Sequence, residues 1–331
     1  MITKPTITLM FFLAPLLAGA DPLDVYGNLT EKTVLLPSAL PFLSDEIISD
    51  LPTEKTNAIA RIESELLKQG IAVVHDGPHF VRVFPEKQRG FLTNVSLRGA
   101  ELAVAKSEGT IATAEINIFG ADLGQVLPIF ASISQKTILR PATLPSPPLR
   151  LKSTCPLTRE EAVYAMATVL ALNGVAVVED GEKFVQVAPM AQRAILTARA
   201  PKREHAAKLL DPNKVPSMGN SELTRPLTKM ERNLERLQKA LYDFIHYKSP
   251  PDRSAQRLLE LYAKLAGKTA EPSKNFDGRP IWFHIETPLS KSELLYAIET
   301  TFSLNNLAII HVDDQRVRLG HIAELRKGTG K

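Results

Sequence analysis

The segment 121–189 reads ADLGQVLPIFASISQKTILRPATLPSPPLRLKSTCPLTREEAVYAMATVLALNGVAVVEDGEKFVQVAP, and its pattern occurs twice more in the chain. Shifted back by 104 positions, its part from Lys136 onward aligns with residues 32–85, where 20 of 54 positions are identical without a gap. Shifted forward by 132 positions, Pro156 aligns with Pro288 and Asn173 with Asn305. An ungapped match of this length indicates an internal repeat, and a repeat sets the fold class.

Each copy carries the signals of two helices. In the second copy Leu123, Val126, Leu127, Phe130 and Ile133 form an apolar stripe with helical spacing. Asp21-Pro22 and Ser254 are suited to begin the equivalent first helix in the other two copies. Capping boxes predict the start of the second helix at Thr158 with Glu161 and at Ser290 with Glu293. Its end is predicted at Gly70, Gly174 and Asn306, residue types that tolerate a left-handed backbone.

The strands are predicted from alternation and from apolar runs. Short strands are expected at 138–139 and at 149–153, the latter with a counterpart at 281–285. A continuous apolar run follows each second helix, at 71–74, 175–178 and 307–310, and predicts a central strand covered on both faces. Asp76-Gly77 and Asp180-Gly181 predict tight hairpins that lead into return strands at 81–83 and 185–187. With a leading strand at 111–118, the predicted fold is α+β: three tandem β-α-β-β-α-β modules joined by linkers, the first lacking its leading strand.

The repeat also predicts the domain organisation. A secretory signal peptide is expected at 1–20, since Lys4, an apolar stretch and Ala18-Gly19-Ala20 follow one another, with cleavage after Ala20. Module 1 is predicted at 21–87, a linker at 88–108, module 2 at 109–189, a basic and polar linker at 190–227, a helix plus module 3 at 228–320, and a tail at 321–331. The stretch 240–248 fits either the end of that helix or the leading strand of module 3, and 91–97 fits either a substitute strand or a linker beside an open sheet edge. The protein is expected to be exported to the periplasm, either free there or associated with the outer membrane.

Composition narrows the function. The formal net charge is +4 and the isoelectric point is near 9.0, which is mild basicity and does not predict a nucleic-acid partner. No stretch after the signal is long and apolar enough for a transmembrane helix. Cys155 is the only cysteine, so no internal disulfide is possible, and no neighbour in sequence would activate its thiol. Stability is therefore expected to come from packing.

Few residues suggest chemistry. His75 and His79 are four apart but flank a hairpin turn, so a solvated hairpin end is favoured over a metal site. Glu160-Glu161 lie in a first helical turn, where acids are ordinary partners of the helix dipole. No nucleophile elbow, phosphate loop, dinucleotide fingerprint or cysteine metal motif is present, so no catalytic residue, cofactor site or metal site is predicted. Trp282 is predicted to point away from its strand's buried face and is the one possible partner contact, although burial under the linker fits equally well.

The second copy resembles the N-terminal periplasmic modules of secretins, the outer-membrane channel proteins of type II secretion and type IV pilus systems. The matching stretches are 116–119 with Ala121-Asp122-Leu123, 136–139, 149–153, 156–162, and 184–189. The third copy adds Asp277-Gly278-Arg279, a turn that the family often has, whereas the second copy departs from it with Pro145-Ser146-Pro147-Pro148. The resemblance implies KH-like or related α+β folds that stack into rings, bind cargo or inner-membrane proteins and perform no catalysis.

The resemblance implies a protein–protein interaction scaffold that belongs to, or assists, a secretion or pilus system, with a possible homo-oligomer. Secretins continue into a membrane-inserting channel domain that this sequence lacks, so the channel is expected to be a separate chain or absent. A KH-like fold raises RNA binding, but the required Gly-x-x-Gly loop is missing. Two alternatives remain open: a signalling or plug-like module of the TonB-dependent receptor type, and a cell-wall-associated hydrolase with its site in 190–250.

Overall fold

The protein is a mixed α+β structure built from several small sheets and short helices. The computed structural model describes residues 21–40, 43, 46–49, 51–89, 116–197, 254–272, 276 and 280–324. None of the helices within these ranges is both long and apolar enough to cross a bilayer. The three sequence copies are called repeat 1, repeat 2 and repeat 3 below.

The elements follow one another in a recurring order. Repeat 1 contains α1 (Pro22–Thr30), β1 (Thr33–Leu35), α2 (Glu46–Ser49), α3 (Lys55–Lys68), β2 (Ile71–Asp76) and β3 (Phe80–Pro85). Repeat 2 contains β4 (Asn117–Ala121), α4 (Leu123–Ser134), β5 (Thr137–Leu139), β6 (Leu149–Lys152), α5 (Arg159–Leu172), β7 (Val175–Asp180) and β8 (Phe184–Pro189). Repeat 3 contains α6 (Ala255–Ala266), β9 (Thr269–Ala270), α7 (Lys291–Leu304), β10 (Leu307–His311) and β11 (Arg316–His321). Short 3₁₀ helices follow β3 and β8 at Glu86–Gln88 and Met190–Gln192.

Each repeat forms a three-stranded sheet of the same topology. The strand orders are β1-β3-β2, β5-β8-β7 and β9-β11-β10, with one parallel and one antiparallel pair in each. The registers also coincide. In the parallel pairs Thr33 faces Phe80, Thr137 faces Phe184 and Thr269 faces Arg316, and in the antiparallel pairs Ile71 faces Pro85, Val175 faces Pro189 and Leu307 faces His321. From repeat 1 to repeat 2 both residues of each pair shift by 104 positions, and from repeat 2 to repeat 3 both shift by 132, as in the sequence repeat.

The chain divides into two compact units that do not follow its linear order. One unit contains the residues up to Leu123 together with Pro147–Asn173, and the other contains Gly124–Ser146 together with the residues from Gly174 onward. Repeat 2 therefore contributes β6 and α5 to the first unit, and β5, β7 and β8 to the second. The predicted module boundaries remain predictions.

Each unit has its own core. In the first unit the buried side chains of α1, α3, β2 and β3 meet, with Tyr26, Ile62 and Leu66 fully buried. In the second unit the core joins α6, α7, β10 and β11 to Leu139 and Phe184, which come from repeat 2. These two side chains show that the sheet of repeat 2 packs against elements of repeat 3.

The predicted helix boundaries are confirmed in detail. Asp21 and Ser254 cap α1 and α6 by accepting backbone amide hydrogens, and both capping boxes, at Thr158 and Ser290, are formed. Gly70, Gly174 and Asn306 have φ values of 71°, 79° and 59°, as the left-handed helix ends require. The Asp-Gly hairpins are also present, with Gly77 and Gly181 at positive φ.

The prediction of a central strand after each second helix is wrong. The apolar runs form β2, β7 and β10, which lie at the edge of their sheets, and the return strands β3, β8 and β11 occupy the centre. The return strand takes this place because it alone pairs with the short strand that follows the first helix. Repeat 2 has seven elements, one strand more than the predicted β-α-β-β-α-β order, although each of the seven segments, including the two strands of the hairpin, was predicted from the sequence.

The other differences concern the two-stranded sheet of β4 and β6. The leading strand is Asn117–Ala121, later than the predicted 111–118, of which 111–115 lie outside the described residues. The counterpart of β6 in repeat 1 is the short helix α2, and the residues that precede α1 lie outside the described ranges. The predicted strand at 281–285 is also wrong: that stretch carries no strand, and next to it the described residues show a single bridge between Ser254 and Pro280.

Several predictions fall on residues outside the described ranges. These are the signal peptide at 1–20, the stretch at 91–97 and the ambiguous region 240–248. The segment 190–250, to which the hydrolase alternative was assigned, is described only up to residue 197.

Candidate docking site

In each compact unit a buried aspartate at the end of a hairpin strand is held by a tyrosine from the next repeat. Tyr164 donates its hydroxyl to Asp76 in the first unit, and Tyr296 donates to Asp180 in the second. Both aspartates are 7% exposed. Since a buried carboxylate is costly unless it accepts hydrogen bonds, each tyrosine stabilises the packing of its repeat on the preceding sheet.

The tyrosine rings pack beside the same hairpins. Phe80 and Tyr164 have ring centroids 5.2 Å apart at an interplanar angle of 56°, and Phe184 and Tyr296 have centroids 5.3 Å apart at 60°. Tilted pairs at this distance are a favoured aromatic geometry. Each ring contact therefore lies directly next to a hydrogen bond to the aspartate.

The two aspartates differ in their second partner. Nε of Arg82 lies 3.1 Å from Oδ2 of Asp76, whereas Nε2 of Gln186 donates to Asp180 at 2.5 Å. Residues 82 and 186 are equivalent in the repeat, so the first carboxylate faces a charge and the second a neutral amide. Burial, followed by the hydrogen bond to Asp76, raises the pKa of Tyr164, and the phenol remains a donor well into the alkaline range.

A glutamate at the start of the second helix makes the next contact. Oε2 of Glu161 accepts the Thr158 amide hydrogen at 2.8 Å, and its Oε1 lies 2.6 Å from Nδ1 of His79. In the second unit Oε2 of Glu293 accepts from the Ser290 amide at 2.6 Å and from Nζ of Lys183 at 2.9 Å. The same carboxylate thus closes the capping box and contacts the preceding hairpin.

The electrostatics of this contact favour an ionised acid. Burial opposes ionisation of Glu293, but the hydrogen bonds from Ser290 and the charge of Lys183 outweigh it and lower the pKa of Glu293. An anion at a helix N-terminus also complements the helix dipole.

An asparagine at the end of the second helix holds the loop that follows the short strand. Oδ1 of Asn173 accepts from the Ser38 amide at 2.8 Å, and its Nδ2 donates to the Val169 carbonyl at 2.7 Å. Asn305 makes the same two bonds, to the Ala142 amide at 2.7 Å and to the Thr301 carbonyl at 2.7 Å. Both asparagine oxygens accept from a backbone amide, and the hydroxyl of Ser38 adds a further hydrogen bond to Oδ1 of Asn173 at 2.7 Å that Ala142 cannot make.

A threonine completes the set. Oγ1 of Thr33 accepts from the Thr154 amide at 3.3 Å, and Oγ1 of Thr137 accepts from the Glu286 amide at 3.2 Å. Every contact joins a residue of one repeat to a residue of the next. The residues on the first side are equivalent between repeats 1 and 2, 104 positions apart, and those on the second side are equivalent between repeats 2 and 3, 132 positions apart. We call the first group the sheet half (Thr33, Ser38, Asp76, His79 and Phe80, and Thr137, Ala142, Asp180, Lys183 and Phe184) and the second the helix half (Thr154, Glu161, Tyr164 and Asn173, and Glu286, Glu293, Tyr296 and Asn305).

The burial of the three second helices reflects this packing. Nine of the 14 residues of α5 and six of the 14 residues of α7 are buried, against three of 14 in α3. The helices α5 and α7 follow a sheet that they cover, whereas α3 belongs to the first repeat. In α5 the buried residues include the docking side chains Glu161 and Tyr164, whereas Glu293 and Tyr296 of α7 are partly buried.

Not all residues that the sequence singled out belong to this site. His79 and Glu161 are in it, whereas Nε2 of His75 lies 3.2 Å from Glu63 within repeat 1. Cys155 is partly buried with its sulfur 3.9 Å from Oγ1 of Thr33, and burial raises the pKa of its thiol. Within the described ranges no group of three or more His, Cys, Asp or Glu side chains is arranged to hold a metal ion.

Trp282 lies outside the helix half but next to it in sequence. It is partly buried, with the guanidinium carbon of Arg140 4.6 Å from its ring centroid and the ring of His284 5.8 Å away. The cation–π contact with Arg140 belongs to the second unit, because both residues are part of it. The assignment of Trp282 as a partner contact remains a prediction.

An open cavity of about 410 Å³ lies in the first unit beside α3. Its polar walls include Lys32, Lys55, Glu63 and His75, and each of these groups has a protein partner. All of these partners lie within repeat 1, whereas the docking contacts join different repeats and recur in both units, so the docking contacts are the stronger candidate site.

Sequence reasoning identified the local roles of these residues but missed the contacts. Asp76 and Asp180 were assigned to hairpin turns and Glu161 and Glu293 to capping boxes, and all of them have a second partner in the neighbouring repeat. Tyr164 and Tyr296 were not singled out at all. No protein-family model, curated protein or solved structure gives a significant match to the chain.

Proposed function

We propose that the protein is an exported, non-enzymatic scaffold of three tandem modules that resemble secretin periplasmic modules, and that it belongs to, or assists, a protein secretion or pilus system. The observation that carries the proposal is the docking contact, which occurs twice with equivalent residues. Its acidic and aromatic side chains bind neighbouring repeats rather than converge on a cavity.

The docking contact supports a scaffold role in a specific way. Modules that pack through paired polar contacts hold a defined orientation, and a defined orientation presents the remaining surfaces to partners in fixed positions. The acidic and aromatic side chains of the docking contact thus bind other repeats of the same chain. We therefore expect the surface that binds a partner protein to lie elsewhere, with Trp282 as the candidate residue.

The experiment places a photo-crosslinking amino acid at position 282 of the full-length protein in its native host. Replacement of Ile195, which is 55% exposed and belongs to the same unit, by the same amino acid provides the matched control. Crosslinks to secretion or pilus components from position 282 but not from 195 would support the proposal. Crosslinks to no protein of such a system would refute the proposed partners.

Export is tested separately on the same material. The N-terminal sequence of the protein recovered from the periplasm is expected to begin at Asp21. Retention in the cytoplasm with residues 1–20 attached would contradict export without affecting the docking contact.

A further inference from the structure

We propose that the sheet half and the helix half form a one-directional recognition pair, and that repeats 1 and 3 end the series because each lacks one half. Repeat 2 carries both halves, and its sheet half is docked in the second unit while its helix half is docked in the first. The proposal rests on the docking contacts and not on export or on a secretion partner.

Repeat 3 lacks the sheet half. Val312, Gln315 and Arg316 stand where repeat 2 has Asp180, Lys183 and Phe184. Nε of Arg316 donates to Asp313 at 2.7 Å and its Nη1 donates to Glu271 at 2.9 Å, so its charge is already paired within the repeat. A tyrosine arriving at this hairpin would find neither the carboxylate nor the aromatic ring.

The threonine position supports this assignment. Thr33 and Thr137 are completely buried in their docked sheets. Thr269, the equivalent residue in repeat 3, is exposed. Because the same residue type is buried at this position in repeats 1 and 2 and exposed in repeat 3, the sheet of repeat 3 is not covered at this position.

Repeat 1 lacks the helix half. Asn57, Ala60 and Gln69 stand where repeat 2 has Glu161, Tyr164 and Asn173. The side chain of Asn57 binds Glu54 at 2.6 Å, and Ala60 lines the open cavity beside α3. Glu54 caps α3 without a side-chain hydrogen bond, so the capping box that positions the acid is missing as well.

The partner that each half fits follows from these differences. A sheet half, read as Asp-Gly-x-[His/Lys]-Phe, fits a helix that begins [Ser/Thr]-x-x-Glu-x-x-Tyr. The second helix of repeat 1 and the hairpin of repeat 3 lack these motifs, so in this proposal they do not dock one copy of the chain onto another. Heterologous contacts that do match would otherwise continue into open assemblies.

The test restores each missing half in the full-length protein. The donor variant carries Glu54→Ser, Asn57→Glu and Ala60→Tyr, and the receiver variant carries Val312→Asp, Gln315→Lys and Arg316→Phe. Because linked modules experience effective concentrations in the millimolar range, docking between chains must be examined by sedimentation velocity up to about 1 mM.

We expect the wild-type protein and each single variant to show no association through this contact, and an equimolar mixture to form a 1:1 complex. A donor variant with Ala60→Phe instead of Ala60→Tyr lacks the hydroxyl and should bind about tenfold more weakly. A mixture that stays monomeric, with wild-type circular dichroism for both variants, would overturn the proposal, as would self-association of one variant alone to the same extent.

A second measurement applies if the triple substitutions prevent folding. His79→Lys introduces the base of the second unit into the first, and His79→Glu places an acid opposite Glu161. Hydrogen exchange of α5 should be unchanged by His79→Lys and at least tenfold faster with His79→Glu. Equal exchange in the two variants would contradict a matched pair of halves.

Discussion

A double-mutant cycle between Asp180 and Tyr296 tests whether their partly buried hydrogen bond holds the second docking contact. Tyr296→Phe removes only the hydroxyl and leaves the ring next to Phe184, where the centroids are 5.3 Å apart. Asp180→Ala removes the acceptor, and its second partner Gln186 is neutral, so no charge is left uncompensated. The cycle cancels effects that are common to the single and double variants and isolates the pair.

The expected coupling follows from the geometry. A hydrogen bond to a charged group contributes about 1.5–3 kcal/mol to the free energy of unfolding. Tyr296 is only partly buried, so solvent competes for its hydroxyl and the lower end of that range applies. We expect a coupling free energy of about 1.5 kcal/mol, and a shift of the urea midpoint of about 0.5–1.5 M for Tyr296→Phe.

Trp282 makes the measurement specific. It is the only tryptophan of the chain, lies in the same unit as the pair, and contacts Arg140 through a cation–π interaction at 4.6 Å. Its fluorescence therefore reports the unfolding of the second unit. Urea titrations of the four proteins of the cycle give the coupling directly, provided that the slopes of the transitions agree.

The matched control is the ion pair between Asp313 and Arg316 in the same unit. Its side chains are 43% and 52% exposed, and exposed ion pairs contribute little to stability because solvent screens the charges. A cycle with Asp313→Ala and Arg316→Ala should give a coupling well below that of the buried pair. If the Asp180–Tyr296 coupling is no larger than this control, the hydrogen bond does not hold the docking contact and the reasoning fails.

Three further predictions concern single contacts. Glu63→Ala should lower the free energy of unfolding by about 1–3 kcal/mol, because it leaves the buried Tyr26 hydroxyl without its acceptor. Adding Tyr26→Phe should recover most of this loss, because repeat 2 has the same apolar combination, Phe130 and Ala167, at the equivalent positions. Urea unfolding followed by circular dichroism measures both effects. Because burial, with the hydrogen bond to Glu63, raises the pKa of Tyr26, stability should be complete below the unfolded-state pKa of about 10 and fall above it, and Tyr26→Phe should flatten this alkaline limb of the melting temperature. The lowered pKa of Glu293 has the opposite effect on stability: its contribution is present above the ordinary carboxyl pKa of about 4.3 and is lost as pH falls below that value. Lys183→Met should reduce this loss of stability at acid pH, measured by Trp282 fluorescence. An unchanged loss in the variant would contradict the assignment.

Much of the local structure could be predicted from the sequence, because it depends on neighbours along the chain. The helix starts at Asp21, Thr158, Ser254 and Ser290 rest on side chains that reach amides two or three residues away. The Asp-Gly hairpins and the helix ends rest on the backbone freedom of single residues. Such features are written within a few positions, and repetition in three copies makes them easier to recognise.

The order of strands could not be derived in the same way. The apolar run from Ile71 to Val74 and the alternating strand around Val83 differ in hydrophobicity, and hydrophobicity alone assigned the run to the centre. The structure reverses this, since β3 has a partner on each side and β2 has one. Strand order depends on which segments pair with each other although they are many residues apart in the sequence. With only three residues, β1 has too little sequence pattern to predict its pairing partner.

The docking contact could have been predicted from residues that are identical in only two of the three repeats. The aspartate and phenylalanine of the hairpin occur in repeats 1 and 2 but not in repeat 3, and the glutamate, tyrosine and asparagine of the second helix occur in repeats 2 and 3 but not in repeat 1. A residue needed for the internal structure of a module would occur in all three, as the buried valines of the central strand at 81, 185 and 317 do. Residues shared by only two neighbouring repeats, with one set missing at each end, are what a contact between successive repeats requires, because three repeats make only two such contacts. In a tandem repeat, the positions that fail to recur in a terminal copy are therefore the ones to examine for docking, and the positions that recur everywhere describe the fold.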